Sequence, residues 1–80
     1  MASELWGKPL EITVDSGDHF KSIHTSRDAL ACLMTYWPNK RGKSFALARR
    51  ACLEAIQGKR DSTSAAEAFE TAAREAGLLR

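Results

Sequence analysis

Apolar residues fall on every second position from Leu10 through Ile12 to Val14, whereas Leu30, Leu33, Met34 and Trp37 recur three and four apart. A period of two is the signature of a strand with one buried face, and the three-and-four spacing is that of one side of a helix. The change of rhythm lies at Thr25-Ser26, so the chain reads as a short β unit followed by helices to its end.

Pro9 lacks a backbone donor and suits the start or the edge of a strand, after which Leu10-Glu11-Ile12-Thr13-Val14-Asp15 alternates inward and outward positions. Ser16-Gly17-Asp18 supplies turn chemistry and leads into His19 to Thr25 as an antiparallel partner. Phe20 and Ile23 have opposite parity, so a regular second strand buries only one of them, unless a bulge beside the turn brings both inward.

Either Thr25 or Ser26 can cap the first helix, and Asp28 falls in its first turn, where the helix dipole favours a carboxylate. This helix is expected to run to about Trp37, because Pro38 forces the residue before it out of helical geometry. Asn39-Lys40-Arg41-Gly42 is then a polar connector. A second helix places Phe45, Ala48, Cys52, Ala55 and Ile56 on one face, leaves Lys43, Arg50 and Glu54 in water, and stops at Gly58. Ser64-Ala65-Ala66-Glu67 fits a reciprocal capping box, which sets the start of a third helix near Ala65. That helix buries Ala65, Phe69, Ala72, Ala73 and Ala76, with Phe69 as the anchor among methyl groups, and Gly77 ends it. Leu78-Leu79 either packs back as a tail or forms a short third strand.

Length restricts what such a fold can contain. With 80 residues, 44% of them hydrophobic and 28% charged, the chain is expected to fold as one domain with little interior to hollow out for a deep substrate cavity. The longest apolar run, Ala29 to Met34, is far too short to span a bilayer, and Met1-Ala2-Ser3-Glu4 has no basic region leading into an apolar one. A cytoplasmic location with reduced thiols at Cys32 and Cys52 is the expectation, and no membrane contact.

Taken together, Trp6 and Pro9 before an alternating strand, Ala29-x-x-x-Leu33-x-x-x-Trp37-Pro38, Gly42, Ala48-x-x-x-Cys52-x-x-Ala55-x-x-Gly58 and Ala68-Phe69-x-x-Ala72-Ala73-x-Glu75-Ala76-Gly77 resemble a family. The pattern is similar to that of the small bacterial proteins grouped as domain of unknown function 982, over nearly the whole chain. Its most specific parts are the Trp-Pro after the first helix and the Ala-Phe-x-x-Ala-Ala segment. The resemblance supports the fold; it implies no activity, cofactor or catalytic residue.

Charge changes the picture more than composition does. Residues 39–60 hold Lys40, Arg41, Lys43, Arg49, Arg50, Lys59 and Arg60 against Glu54 alone, a net of +6, while the flanking segments are each net −2 and the whole chain is +2. Gly42-Lys43-Ser44 opens a helix as a phosphate-binding loop does, but such a loop needs a glycine where this chain has Trp37 and a strand where it has a helix. What survives is a helix start able to receive an anion, with Lys40, Arg41, Lys43 and Arg50 as the candidate anion- or nucleic-acid-binding residues. The competing account is a solvated basic face paired with the acidic elements, the usual fate of a charge run.

No metal or cofactor is implied. His19 and His24 are five apart beside a strand and face opposite sides. Cys32 and Cys52 form no Cys-x-x-Cys motif and sit on apolar helix faces as small hydrophobes; a Cys32 nucleophile with His24 as its base lacks a third, orienting group. Tyr36 and Trp37 read as core and rim aromatics rather than a base-stacking platform. The expectation is therefore a single α+β domain over residues 1–80, an N-terminal two-stranded antiparallel hairpin on three helices. It is taken as a non-enzymatic binding or interaction protein, whose partner is an unidentified protein or a second copy of the chain. Nucleic-acid or anion binding through residues 39–60, and a small enzyme using Cys32 or a histidine, are the alternatives; specific nucleic-acid recognition is not expected.

Overall fold

The computed structural model describes residues 5–14, 19–37 and 40–79. Strands β1 (Leu5–Val14) and β2 (His19–Thr25) form an antiparallel pair, followed by α1 (Ser26–Thr35), α2 (Lys43–Ile56) and α3 (Ser62–Glu75). The α+β arrangement of a hairpin on three helices is the one the alternation and the helical spacing require. The expected turn at Ser16-Gly17-Asp18 and the helix-ending Pro38 lie outside the described residues.

Leu10 to Val14 pair regularly with Ile23 to His19, and the register shifts only between Leu5 and Leu10, the stretch that contains Pro9. A missing amide at Pro9 fits the loss of regular pairing there. The irregularity is thus at the far end of the hairpin from the turn, and the parity conflict resolves without it: Ile23, opposite Leu10, is fully buried, while Phe20, opposite Thr13, is 56% exposed. β1 also begins earlier than its alternating residues suggest, with Leu5 paired to Thr25.

Thr25 is the cap of α1; its Oγ1 accepts from the Asp28 amide at 3.1 Å. Ser26 is instead buried and accepts a hydrogen bond from the Trp6 indole Nε1 at 3.3 Å, which satisfies the one polar atom of a buried ring. α1 ends at Thr35 with Tyr36 as its cap. The capping box at Ser64-Glu67 is not formed: α3 starts three residues before Ala65, at Ser62, with Asp61 as N-cap and the Asp61 carbonyl accepting from the Ala65 amide. Ser64 is therefore already inside the helix, and its hydroxyl accepts from Arg60 at 3.2 Å.

Both α2 and α3 end on glycines with positive φ, Gly58 at 79° and Gly77 at 74°. In each, the amide after the glycine bonds back to the carbonyl five residues earlier, Lys59 to Glu54 and Leu78 to Ala73, the Schellman closure that favours glycine. After Gly77 the tail turns onto β1. The Thr13 amide donates to the Leu78 carbonyl at 2.7 Å, and Leu79 forms a single antiparallel bridge with Ile12, so the tail supplies one bridge of a third strand.

α3 covers β1 and α1 covers β2, while α2 packs on α1 and α3 rather than on the sheet. The core joins Ile12, Val14 and Ile23 to Leu33, Phe45 and the alanines of α2 and α3. Phe69 lies at its centre with no exposed surface. Its ring meets Trp6 at 5.6 Å and Trp37 at 5.4 Å between centroids, both tilted, the arrangement aromatic quadrupoles favour.

Candidate functional site

The fold divides the basic segment into separate groups. Lys40 follows α1 and bends back to it, its Nζ donating at 2.8 Å to the Met34 carbonyl, one of the last four of that helix. Arg41 is exposed in the connector, and Lys43 is the exposed first residue of α2. Arg50, seven residues further along α2, donates to Glu54 at 3.3 Å, and Arg60 reaches the same carboxylate at 2.6 and 2.8 Å. Glu54 thereby holds two guanidinium groups, and these hydrogen bonds keep its carboxyl below the ordinary range. Of the four candidates, Lys40, Arg41 and Lys43 cluster in sequence around the start of α2, while Arg50 belongs to the Glu54 group.

The start of α2 has an anionic neighbour of its own. Gly42 caps the helix without a side chain, and Ser44 in the first turn donates to Glu75 Oε1, from the end of α3, at 2.5 Å. A cleft of about 130 Å³ between Trp37, Gly42, Phe45 and Ala72 opens beside this pair. The internal carboxylate complements the positive end of the α2 dipole, and an external anion entering here meets Glu75.

A second depression has a different character. Met34 of α1 and Phe45 and Ala46 of α2 floor a shallow groove of about 390 Å³, with Lys40 and Arg49 on its rim. Met34 is 48% exposed, whereas Phe45 is buried. Among the described residues Arg49 has no ion pair, in contrast to Arg50 and Arg60. Arg49 is not among the four sequence candidates, and on a lone helix it sits away from Lys43 and Arg50. What joins it to Lys40 is the return of the Lys40 ammonium to the Met34 carbonyl, which helical spacing does not contain.

Cys32 and Cys52 are free and buried, and burial pushes their thiols up to about 11 and about 12, with Lys21 opposing the rise at Cys32. A thiol that stays protonated at neutral pH is a poor nucleophile and a poor metal ligand. His24 is exposed while Cys32 has 1% of its surface in contact with solvent, so the two share no open site. Among the described residues no three His, Cys, Asp or Glu side chains are grouped to hold a metal ion, and no helix is long and apolar enough to cross a membrane. Tyr36 is 39% exposed with the Lys21 ammonium 5.9 Å from its ring centroid, and Trp37 is buried on Phe69, so the two rings do not form a common platform.

No curated protein and no solved structure matches the chain. A family profile described as "Protein of unknown function (DUF982)" matches residues 8–80, which include the whole helical layer and the regular part of the hairpin. The Trp-Pro after α1, the glycines closing α2 and α3 and the Phe69 anchor thus lie within a shared pattern, and the chain belongs to the DUF982 family.

Proposed function

We propose that this chain is a non-enzymatic protein-interaction module acting in the cytoplasm. One observation carries the reading: α2 buries Phe45, Ala48, Ala51 and Cys52, yet outside that stripe keeps Leu47 55% and Leu53 37% exposed, with Met34 of α1 at 48%. Burying a leucine fully is worth about 1.5–3 kcal/mol, so an 80-residue domain that leaves these side chains in water forgoes stability it could use. Met34 lies with Lys40 and Arg49 around one depression, and exposed apolar surface rimmed by charged residues is characteristic of a contact surface.

The high thiol pKa values favour binding over cysteine chemistry, and buried thiols suit a reducing compartment. The basic segment supports nucleic-acid recognition less well, since Arg50 and Arg60 are committed to Glu54.

Affinity capture from extracts of the native host tests the proposal, with wild type compared to a folded Met34→Lys, Leu47→Lys, Leu53→Lys variant. Wild type is expected to retain a protein that the variant does not. Identical recovery on both, or none on either, refutes the reading. So does tight, sequence-dependent nucleic-acid binding at physiological salt that disappears when Lys40, Arg41 and Lys43 are replaced by Ala.

A further inference from the structure

We infer that the groove between α1 and α2 is a docking site for an acidic peptide segment of a partner, one that anchors a large apolar side chain between flanking carboxylates. The inference rests on the interaction reading above and specifies its surface and its partner chemistry. Its floor is Met34, Phe45 and Ala46, and its rim carries Lys40 and Arg49 with no lining carboxylate. Elsewhere Arg50 and Arg60 meet Glu54, and Arg74 meets Glu70. At this groove two cations line apolar surface, and among the described residues neither forms an ion pair.

The arrangement favours one class of occupant. The Met34 carbonyl accepts from one of the three Lys40 donors and leaves two for a ligand. Arg49 has its guanidinium fork available for a bidentate carboxylate. Between them, the flexible thioether of Met34 and the methyl of Ala46 accept an aliphatic or aromatic side chain without demanding a single shape. A nucleic acid would want exposed rings to stack on, and Phe45 is 7% exposed. A volume of about 390 Å³ lies at the lower end of the range for ligand pockets, roughly 300–1,000 Å³, but this one is open, as suits a side chain from a longer segment. Charge outside and an apolar anchor inside is the pattern of groove recognition of amphipathic peptides.

The test is selection of random linear peptides displayed on phage against the immobilised full chain, followed by synthesis of the most enriched sequence. Recovered peptides are expected to combine Asp or Glu with Leu, Phe, Met or Trp. The synthetic peptide should bind more weakly as salt rises and perturb the backbone amide resonances of Met34, Lys40, Phe45, Ala46 and Arg49. Arg49→Glu should weaken it by about tenfold or more, since it places like charges together at the rim, and Arg49→Gln by less. Ala46→Asp should abolish binding, and Arg50→Glu, on the Glu54 side of the helix, should leave it intact. No enrichment, acid-poor sequences, or indifference to Arg49→Glu overturns the inference. Failure of the parent reading looks different: a host protein captured equally by wild type and Arg49→Glu removes the groove but keeps the interaction module, whereas no captured protein removes both.

Discussion

Replacing Phe69 by Leu tests the centre of the core. Truncating a buried Phe to Ala costs about 3–5 kcal/mol. A chain of 80 residues at about 0.05–0.15 kcal/mol per residue has only about 4–12 kcal/mol in total, so the Ala variant stands at the edge of unfolding. Leu keeps an apolar side chain in the site and removes chiefly the ring. Phe69 makes two tilted ring contacts, to Trp6 and Trp37, each worth about 0.5–1.5 kcal/mol beyond the area buried, which gives an expected loss of about 1–3 kcal/mol. At about 4–8 °C per kcal/mol, a loss of 2 kcal/mol lowers the melting temperature by about 8–16 °C. Urea unfolding followed by tryptophan fluorescence is the natural assay, because the chain has two tryptophans and both stand against this ring. Phe45→Leu serves as the control: no ring contact engages Phe45 among the described residues, and its loss should be about 1 kcal/mol. A cycle of Trp37→Leu with Phe69→Leu should give a coupling of about 0.5–1.5 kcal/mol. A Phe69→Leu variant within about 0.5 kcal/mol of wild type, or strict additivity in the cycle, would refute the account of the core.

Two further outcomes follow from local geometry. Cys32 and Cys52 should resist a thiol reagent at neutral pH in the folded protein and react promptly in denaturant; rapid labelling of the native state would contradict their burial. Their thiols titrate near 9 when unfolded and at about 11 and about 12 when folded, so between these values the native state holds more protons and stability falls as pH rises, having been fully present below pH 9. A stability flat from pH 8 to pH 11 would contradict the assigned direction. At the tail, Gly77→Ala should cost about 1–2 kcal/mol through its φ of 74° alone, since a Cβ there meets nothing within 4 Å, and should weaken hydrogen-exchange protection of the Thr13 amide, which donates to Leu78. Unchanged protection at Thr13 in that variant would show that the tail holds β1 without the Gly77 closure.

The parts of the fold written locally were legible, and those set by distant partners were not. Leu10 to Val14 reads as a strand because burial on one face needs nothing but alternation, and Gly58 and Gly77 mark helix ends because their positive φ is a local property. α3 shows the limit of such rules. Both Asp61 and Ser64 are capping residues, and the sequence pattern with Glu67 favours the second; the structure uses the first, with the Ser64 hydroxyl drawn to Arg60, itself held by Glu54 of α2. Ser26 presents the same ambiguity beside Thr25. It is decided by the Trp6 indole, twenty residues away, which needs an acceptor and finds the Ser26 hydroxyl.

The candidate site was legible only as a charge imbalance. Residue counting groups seven cations because they are near in sequence, but each cation's role depends on what the fold sets opposite it. Glu54 claims Arg50 from one turn away and Arg60 from beyond Gly58, an assignment the i, i+4 spacing half reveals. Lys40 and Arg49 are nine residues apart and unrelated on any single helix. They become one rim only because Lys40 folds back to the carbonyl end of α1 and so draws Met34 and the Phe45-Ala46 flank of α2 into one surface. A sequence signal for it would have been an apolar residue at the exposed end of α1 followed, across a short basic connector, by an apolar pair and an Arg in the first two turns of α2. Met34, Lys40, Phe45-Ala46 and Arg49 satisfy that pattern. It acquires meaning as a site only after the inward spacing of Leu33 and Ala48 has fixed which sides of α1 and α2 are left in water.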